Sequence, residues 1–228
     1  MKSWILRMAA VGLMTAPAWG QDAGQLMERA RIAATLQQSD LHGEISKGRT
    51  KLPISLFLRG ENIQFTTGEG RKRFHMRLGD DQFDLFEIVD GKQRAFPAGQ
   101  LEESIAGTDL TYEDLAFRFL YWPNPKLEGD ERVSRNDCWK IRVNNPGNKG
   151  AYAAIYVWIH KDSGAFMKIE GFDRSGKRLK RFEVREVQKV GDGYTLKEMD
   201  VSTMNGDRTA SRSKLSFDRP RRVVPGER

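Results

Sequence analysis

The stretch ISLFLRGENIQFTTGEGRKRFHMRLGDDQFDLF, residues 54–86, decides the fold class. Apolar residues recur at every second position. Ile54, Leu56 and Leu58 alternate with Ser55, Phe57 and Arg59, and Ile63 and Phe65 with Gln64 and Thr66. Phe74, Met76 and Leu78 alternate with His75, Arg77 and Gly79, then Phe83 and Leu85 with Gln82 and Asp84. A period of two belongs to a strand, whose successive side chains point to opposite faces. Between the runs stand Gly60-Glu61-Asn62, Gly68-Glu69-Gly70, Gly79-Asp80-Asp81 and, further on, Asp90-Gly91. Such residues supply the positive φ that tight hairpin turns need. The pattern predicts an antiparallel meander over residues 41–96, with one face rich in long apolar side chains.

On the N-terminal side of the meander, Asp22–Gln38 reads as a helix. Leu26, Met27, Ala30, Ala33 and Ala34 fall near helical spacing, Glu28, Arg29 and Arg31 lie opposite, and Gly43 marks the end. The first twenty residues differ in kind. Lys2 and Arg7 bring positive charge, Met8 to Met14 form a short apolar run, and Ala18-Trp19-Gly20 fits the small-x-small rule of a cleavable export signal. Cleavage before Gln21 leaves no cysteine for a lipid anchor, so the mature protein is expected to be soluble and periplasmic.

On the C-terminal side, Pro97–Ile105 accommodates one or two helical turns. Thr111-Tyr-Glu-Asp114 fits a capping box, and Leu115, Phe119 and Leu120 share a face of the helix it starts, stopped by Pro123 and Pro125. Strands are then predicted at 132–144, 152–160, 166–173, 179–190, 194–203 and 210–217, for a sheet of about ten strands. Alternating charges in the last three give that sheet one wet face. With no repeat and no linker, residues 21–219 form one domain, followed by a basic tail at 220–228.

Composition narrows the function. The chain has 228 residues, 39% hydrophobic and 30% charged, enough for one domain with a core. One cysteine, Cys138, and three histidines argue against a disulfide framework or a metal site, and no apolar stretch is long enough for a membrane helix. Cys138, in a strand-like run, reads as a small buried hydrophobe. The formal net charge is +7, or +5 once Lys2 and Arg7 are removed. For an exported protein that charge suits anionic headgroups or an acidic protein partner better than nucleic acid.

Candidates for catalysis are few. There is no GxSxG elbow, no HExxH and no phosphate-binding glycine loop, since Gly68-Glu69-Gly70 reads as a hairpin turn. His42, His75 and His160 lie in or beside strands, with His75 expected on the solvated face. Asp80-Asp81 and Glu102-Glu103 diverge as neighbours in any regular element. No catalytic residue, cofactor or metal is assigned.

Two later motifs resemble a known family. Gly107-Thr-Asp-Leu-Thr-Tyr-Glu-Asp-Leu115 resembles the glycine–small–Asp–apolar–Ser/Thr–Tyr–Glu–Asp–Leu signature of exported proteins described as LolA-like, or outer-membrane lipoprotein-sorting, proteins. Asp137-Cys138-Trp139-Lys140-Ile141 resembles that family's Asp-Cys-aromatic-x-apolar strand. Tyr156-x-Trp158-Ile159, Phe166-Met167-Lys168-Ile169-Glu170, Phe172-Asp173 and Gly176-Lys177 continue in the same order. The resemblance implies an α+β, mostly β fold: an incomplete, strongly curved antiparallel β-barrel with two or three helices covering its open side. It also implies a non-enzymatic periplasmic carrier that binds lipid or lipoprotein acyl chains and shuttles them between envelope membranes. Its partners would be an inner-membrane transporter and an outer-membrane acceptor, with at most peripheral membrane contact.

On this reading the lipid-binding sheet face comprises Ile54, Leu56, Leu58, Ile63, Phe65, Phe74, Met76, Tyr156 and Trp158. Tyr112, Leu115 and Phe119 form the face of a lid helix. The alternative is a protein-interaction or sensor module of the same fold, accessory to an envelope transporter. It would use a basic face of Lys177, Arg178, Lys180, Arg181 and Arg185.

Overall fold

The computed structural model describes residues 22–35, 40–59, 62–68, 70–78, 83–115, 117–147, 150–190 and 193–220. The export signal expected at 1–20 and all but the first residue of the tail expected at 220–228 lie outside the described residues. The N-terminal helix α1 runs over Ala23–Thr35. Asp22 caps it, accepting from the Gly24 N–H through its carboxylate (2.8 Å) and from the Leu26 N–H through its carbonyl (3.0 Å). Its face of Ala23, Leu26, Met27 and Ala30 is buried.

Thirteen strands follow. The first six are β1 (Asp40–Lys47), β2 (Thr50–Arg59), β3 (Asn62–Thr67), β4 (Lys72–Leu78), β5 (Phe83–Val89) and β6 (Lys92–Ala95). After residues 96–125 come β7 (Lys126–Val133), β8 (Asn136–Asn144), β9 (Ala154–His160), β10 (Phe166–Phe172), β11 (Arg178–Val190), β12 (Gly193–Asn205) and β13 (Arg208–Phe217). All belong to one curved, unclosed antiparallel sheet in the order β6-β5-β4-β3-β2-β1-β13-β12-β11-β10-β9-β8-β7. Every neighbour in it is a hairpin partner except at the seam between β1 and β13, where the first and last strands meet.

The meander of residues 41–96 forms as predicted, but three expectations are corrected. The sheet has thirteen strands rather than about ten. The strand placed at 132–144 is a hairpin of β7 and β8, turning at Ser134 and Arg135 with φ of 49° and 73°. Neither turn residue is a glycine, so the turn carried no signal. The helix after the capping box lasts only four residues, α2 (Tyr112–Leu115). At Phe117 the backbone turns left-handed (φ 42°), and a 3₁₀ turn over Arg118–Tyr121 completes the segment.

Residues 96–125 form a strap laid across one face of the sheet. That inner face holds the core: Leu41, Ile45, Ile54, Phe65, Phe74 and Met76 from the first half, and Ile141, Ile155, Ile169, Phe182, Val201 and Leu215 from the second. The strap adds Ile105, Leu110, Tyr112, Leu115, Phe119 and Trp122, and α1 adds its buried face.

The seam is narrow, with four residue pairs from Gly43↔Phe217 to Ser46↔Lys214. Gly43 lies inside β1 and does not end the helix. A Cβ there would stand 1.9 Å from the carbonyl oxygen of Ser216 and 2.8 Å from Cα of Phe217, so only glycine lets the two backbones approach this closely. Gly43→Ala is therefore expected to destabilise the fold by about 1–3 kcal/mol or more. Equilibrium denaturant unfolding checks this, and an unchanged midpoint would contradict the close contact.

Candidate functional site

Most of the residues expected to line a cavity and its lid meet in one packed cluster on the inner face. Ile54, Ile63, Phe65, Phe74 and Met76 are buried beneath the strap, and Leu56 is half-buried against the same cluster. The side chain of Leu58 lies outside the described residues. From the strap, Tyr112 meets Phe74 with ring centroids 5.3 Å apart, and Phe74 stacks on Phe65 at 4.7 Å. Phe119 packs against Phe182 and Tyr152, at 6.1 and 6.2 Å. Leu115 is buried in the same cluster. The apolar face is thus closed, roofed by the strap and α1.

Tyr156 and Trp158 are elsewhere. In β9 the inner positions are Ile155, Val157 and Ile159, so the two aromatics point to the outer face. There they pack with Val133, Cys138 and Met167, beneath a cover of cations. Lys168 and Lys140 sit 3.7 and 5.1 Å from the Trp158 ring centroid, and Arg142 lies 5.8 Å from that of Tyr156. Cys138 is fully buried, and burial pushes its thiol pKa up, in keeping with a small hydrophobe. His75, expected in solvent, is buried between Asn62 and Gln93, at 3.0 and 2.7 Å.

The expected basic face is also redistributed. Lys180 is buried on the inner side, Arg178 and Arg181 both pair with Glu170, and Arg185 pairs with Asp200 and Glu183. Lys177 remains exposed. The charged ladder is consistent with a wet outer face, but these five residues do not form one basic patch.

What fastens the strap was not evident from local pattern. The capping box forms: the Thr111 N–H donates to the Asp114 carboxylate (2.9 Å), and the Asp114 N–H donates to the Thr111 hydroxyl (3.1 Å). Asp114 also reaches the sheet. Wholly buried, it accepts from the Tyr152 hydroxyl at 2.6 Å and faces the Lys180 ammonium at 3.2 Å. Burial, then the Asp114 charge, raise the Tyr152 pKa well above the ordinary phenol value. Gly171 makes room for the ring, since a Cβ there would come within 2.5 Å of Tyr152 carbons.

Five residues earlier, Asp109 is held in the same way. Its carboxylate accepts from Thr203 (2.6 Å), Ser213 (2.8 Å) and Ser211, and Lys47 stands 3.2 Å away. Its own N–H donates to Ser213 (2.8 Å), and its carbonyl accepts from Lys180. Burial opposes ionisation of Asp109, but the hydroxyls and Lys47 hold its pKa below the usual carboxylate value. Among the described residues, no group of three or more His, Cys, Asp and Glu could hold a metal, and no helix is long and apolar enough to cross a membrane.

A family model described as "Uncharacterized protein" matches residues 72–222, two thirds of the chain. The chain belongs to that family. Its fold is LolA-like. A crystal structure provisionally assigned as an outer membrane lipoprotein-sorting protein domain from Vibrio parahaemolyticus superposes with a TM-score of 0.69 at 13% identity, covering 87% of this chain and 91% of that one. A DUF1329 family protein from Desulfovibrio piger gives 0.69 at 16% identity, covering 89% and 92%. A LolA superfamily protein from Nitrosomonas europaea gives 0.66 at 15%, covering 89% and 94%. No protein of curated function matches the sequence.

The buried pair yields a stability prediction. Lys180→Met leaves Asp114 uncompensated and is expected to cost about 3–5 kcal/mol, with amide exchange accelerated first in the strap. Urea unfolding and hydrogen exchange read the two effects. Uniform exchange across the sheet would mean that Lys180 does not fasten the strap.

Glu113 supplies a pH prediction. Burial, then the neighbouring Asp114 charge, raise its pKa from 4.5 to about 7. The folded state therefore holds a proton that the unfolded state releases, so this group's stabilisation is present at low pH and lost as pH rises towards 7. The contribution lost is on the order of 3 kcal/mol. Glu113→Gln should remove this slope from the stability profile between about pH 5 and pH 7. An unchanged slope would assign it to other groups.

Proposed function

We propose that the protein is a soluble periplasmic carrier that takes up lipid or lipoprotein acyl chains on its inner sheet face and releases them without covalent chemistry. The reading is carried by one observation: a continuous apolar face is roofed by a strap of short turns held to the sheet through polar side chains. Fastenings of this kind can be replaced by polar groups of a cargo or by water. The apolar face beneath them cannot, and it requires another apolar surface when the strap lifts.

Burying an acyl chain is worth roughly 0.8 kcal/mol per methylene, so a chain of about 16 carbons would gain at most about 12 kcal/mol. Part of that gain is spent on lifting the strap, which keeps binding reversible. The Vibrio structure, named for outer membrane lipoprotein sorting, supports a sorting role in the envelope. Loading from an inner-membrane transporter and delivery to an outer-membrane acceptor complete the proposal.

Mature protein mixed with a fluorescent long-chain lipid should bind it stoichiometrically. Leu56→Asp, which puts a charge at a half-buried inner position, should weaken uptake at least tenfold while circular dichroism stays unchanged. A folded Leu56→Asp protein that binds normally would remove the inner face as the site. Failure of the wild type to take up any lipid would remove the carrier reading itself.

A further inference from the structure

The groups that hold Asp109 all belong to the sheet. Thr203 on β12 stands opposite Ser211 on β13, and Ser213 lies two residues further along the same strand. Lys47 ends β1, next to β13 across the seam. Three hydroxyls and an ammonium thus converge on one carboxylate from paired strands that stay in place when the strap leaves. Lys180, opposite Thr203 across the β11–β12 ladder, is a second cation at the edge of this cluster. Around them the inner face is apolar, with Met199, Val201 and Leu215 buried alongside.

Lifting the strap withdraws two carboxylates, Asp109 and Asp114, and leaves Lys47, Lys180 and three hydroxyls on an apolar surface. Buried donors and charges without partners are costly. Water can serve the hydroxyls, but only an anion also neutralises the ammonium groups. Phosphate suits this arrangement, with at least two acceptor oxygens, a charge of one or two, and charge-assisted bonds to both donor types.

We propose that Thr203, Ser211, Ser213, Lys47 and Lys180 form a receptor for the phosphate of a lipid headgroup, and that Asp109 occupies it as an internal stand-in while the strap is closed. The proposal rests on the carrier reading and narrows it, because a neutral diacylglyceryl anchor would leave the receptor empty. Asp109 then has two roles: it fastens the strap, and it competes with the cargo's anion for the same donors.

The test compares phosphatidic acid with diacylglycerol of identical acyl chains, each displacing a fluorescent lipid from the full mature protein. Phosphatidic acid should bind at least tenfold more tightly, equivalent to one good charge-assisted contact. Lys47→Met, at a partly exposed position, should reduce that preference to about twofold. Asp109→Asn tests the internal stand-in. Both lipids must displace that carboxylate, so removing its charge should raise affinity for phosphatidic acid and diacylglycerol alike and keep the preference between them; unchanged or lower affinity for both would overturn the stand-in.

Inorganic phosphate, which has no chain to replace the strap, should not displace the probe. Displacement by free phosphate as effective as by phosphatidic acid would overturn a lipid as the source of the anion. Equal wild-type affinity for the two lipids, or a Lys47→Met protein with an undiminished preference, would overturn the receptor and leave the carrier standing. Binding of neither lipid would instead overturn the carrier reading.

Discussion

The sheet does not close, and its inner face is apolar, so the structure depends on something that is not a strand lying across it. The strap meets that constraint with two buried carboxylates. Asp114 is bonded by Tyr152 and Lys180, and Asp109 by three sheet hydroxyls and Lys47. Apolar contacts are non-directional and would let a segment of short turns settle in several positions. Hydrogen bonds to fixed strand positions determine where it lies. Asp109 and Asp114 of the Gly107–Leu115 motif thereby act as the strap's points of attachment.

A roof attached in this way sets the character of binding. On the proposed carrier reading, Asp109 and Asp114 have their partners while the strap is closed, so opening requires cargo to replace apolar and polar contacts together. Apparent affinity is then reduced by the population of the open state, which suits a protein that must also surrender its cargo. The outer face contributes differently. Its aromatics are covered by lysines and an arginine, and its carboxylates are matched by cations, which leaves a polar, wet surface around an apolar interior.

Much of this architecture was legible along the chain because the residues of β2–β5 alternate and glycines separate the runs in the sequence. The β7–β8 hairpin was not, since Ser134 and Arg135 adopt positive φ without the usual residues. Leu115, Phe119 and Leu120 carry a helical spacing, yet their burial is achieved across a left-handed break at Phe117. In β9 both faces are apolar, so alternation could not say whether Ile155, Val157 and Ile159 or Tyr156 and Trp158 look inward, and the larger rings were the wrong choice. The Asp109 cluster was hidden for another reason. Ser211 and Ser213 are about a hundred residues from their partner, and each alone reads as an ordinary residue of a wet face. The motif resemblance marked the Asp109–Asp114 region without revealing what its carboxylates bind.

The seam between β1 and β13 has a kinetic consequence. The first strand finds its second partner in the last one, so no N-terminal fragment can complete the sheet, and the two halves can join only once the entire chain is present. Pairing across so long a loop must bear its closure entropy before any contact repays it, which makes the final step slow. The local hairpins can form as each is made, but the two halves become one curved sheet only when β13 reaches β1.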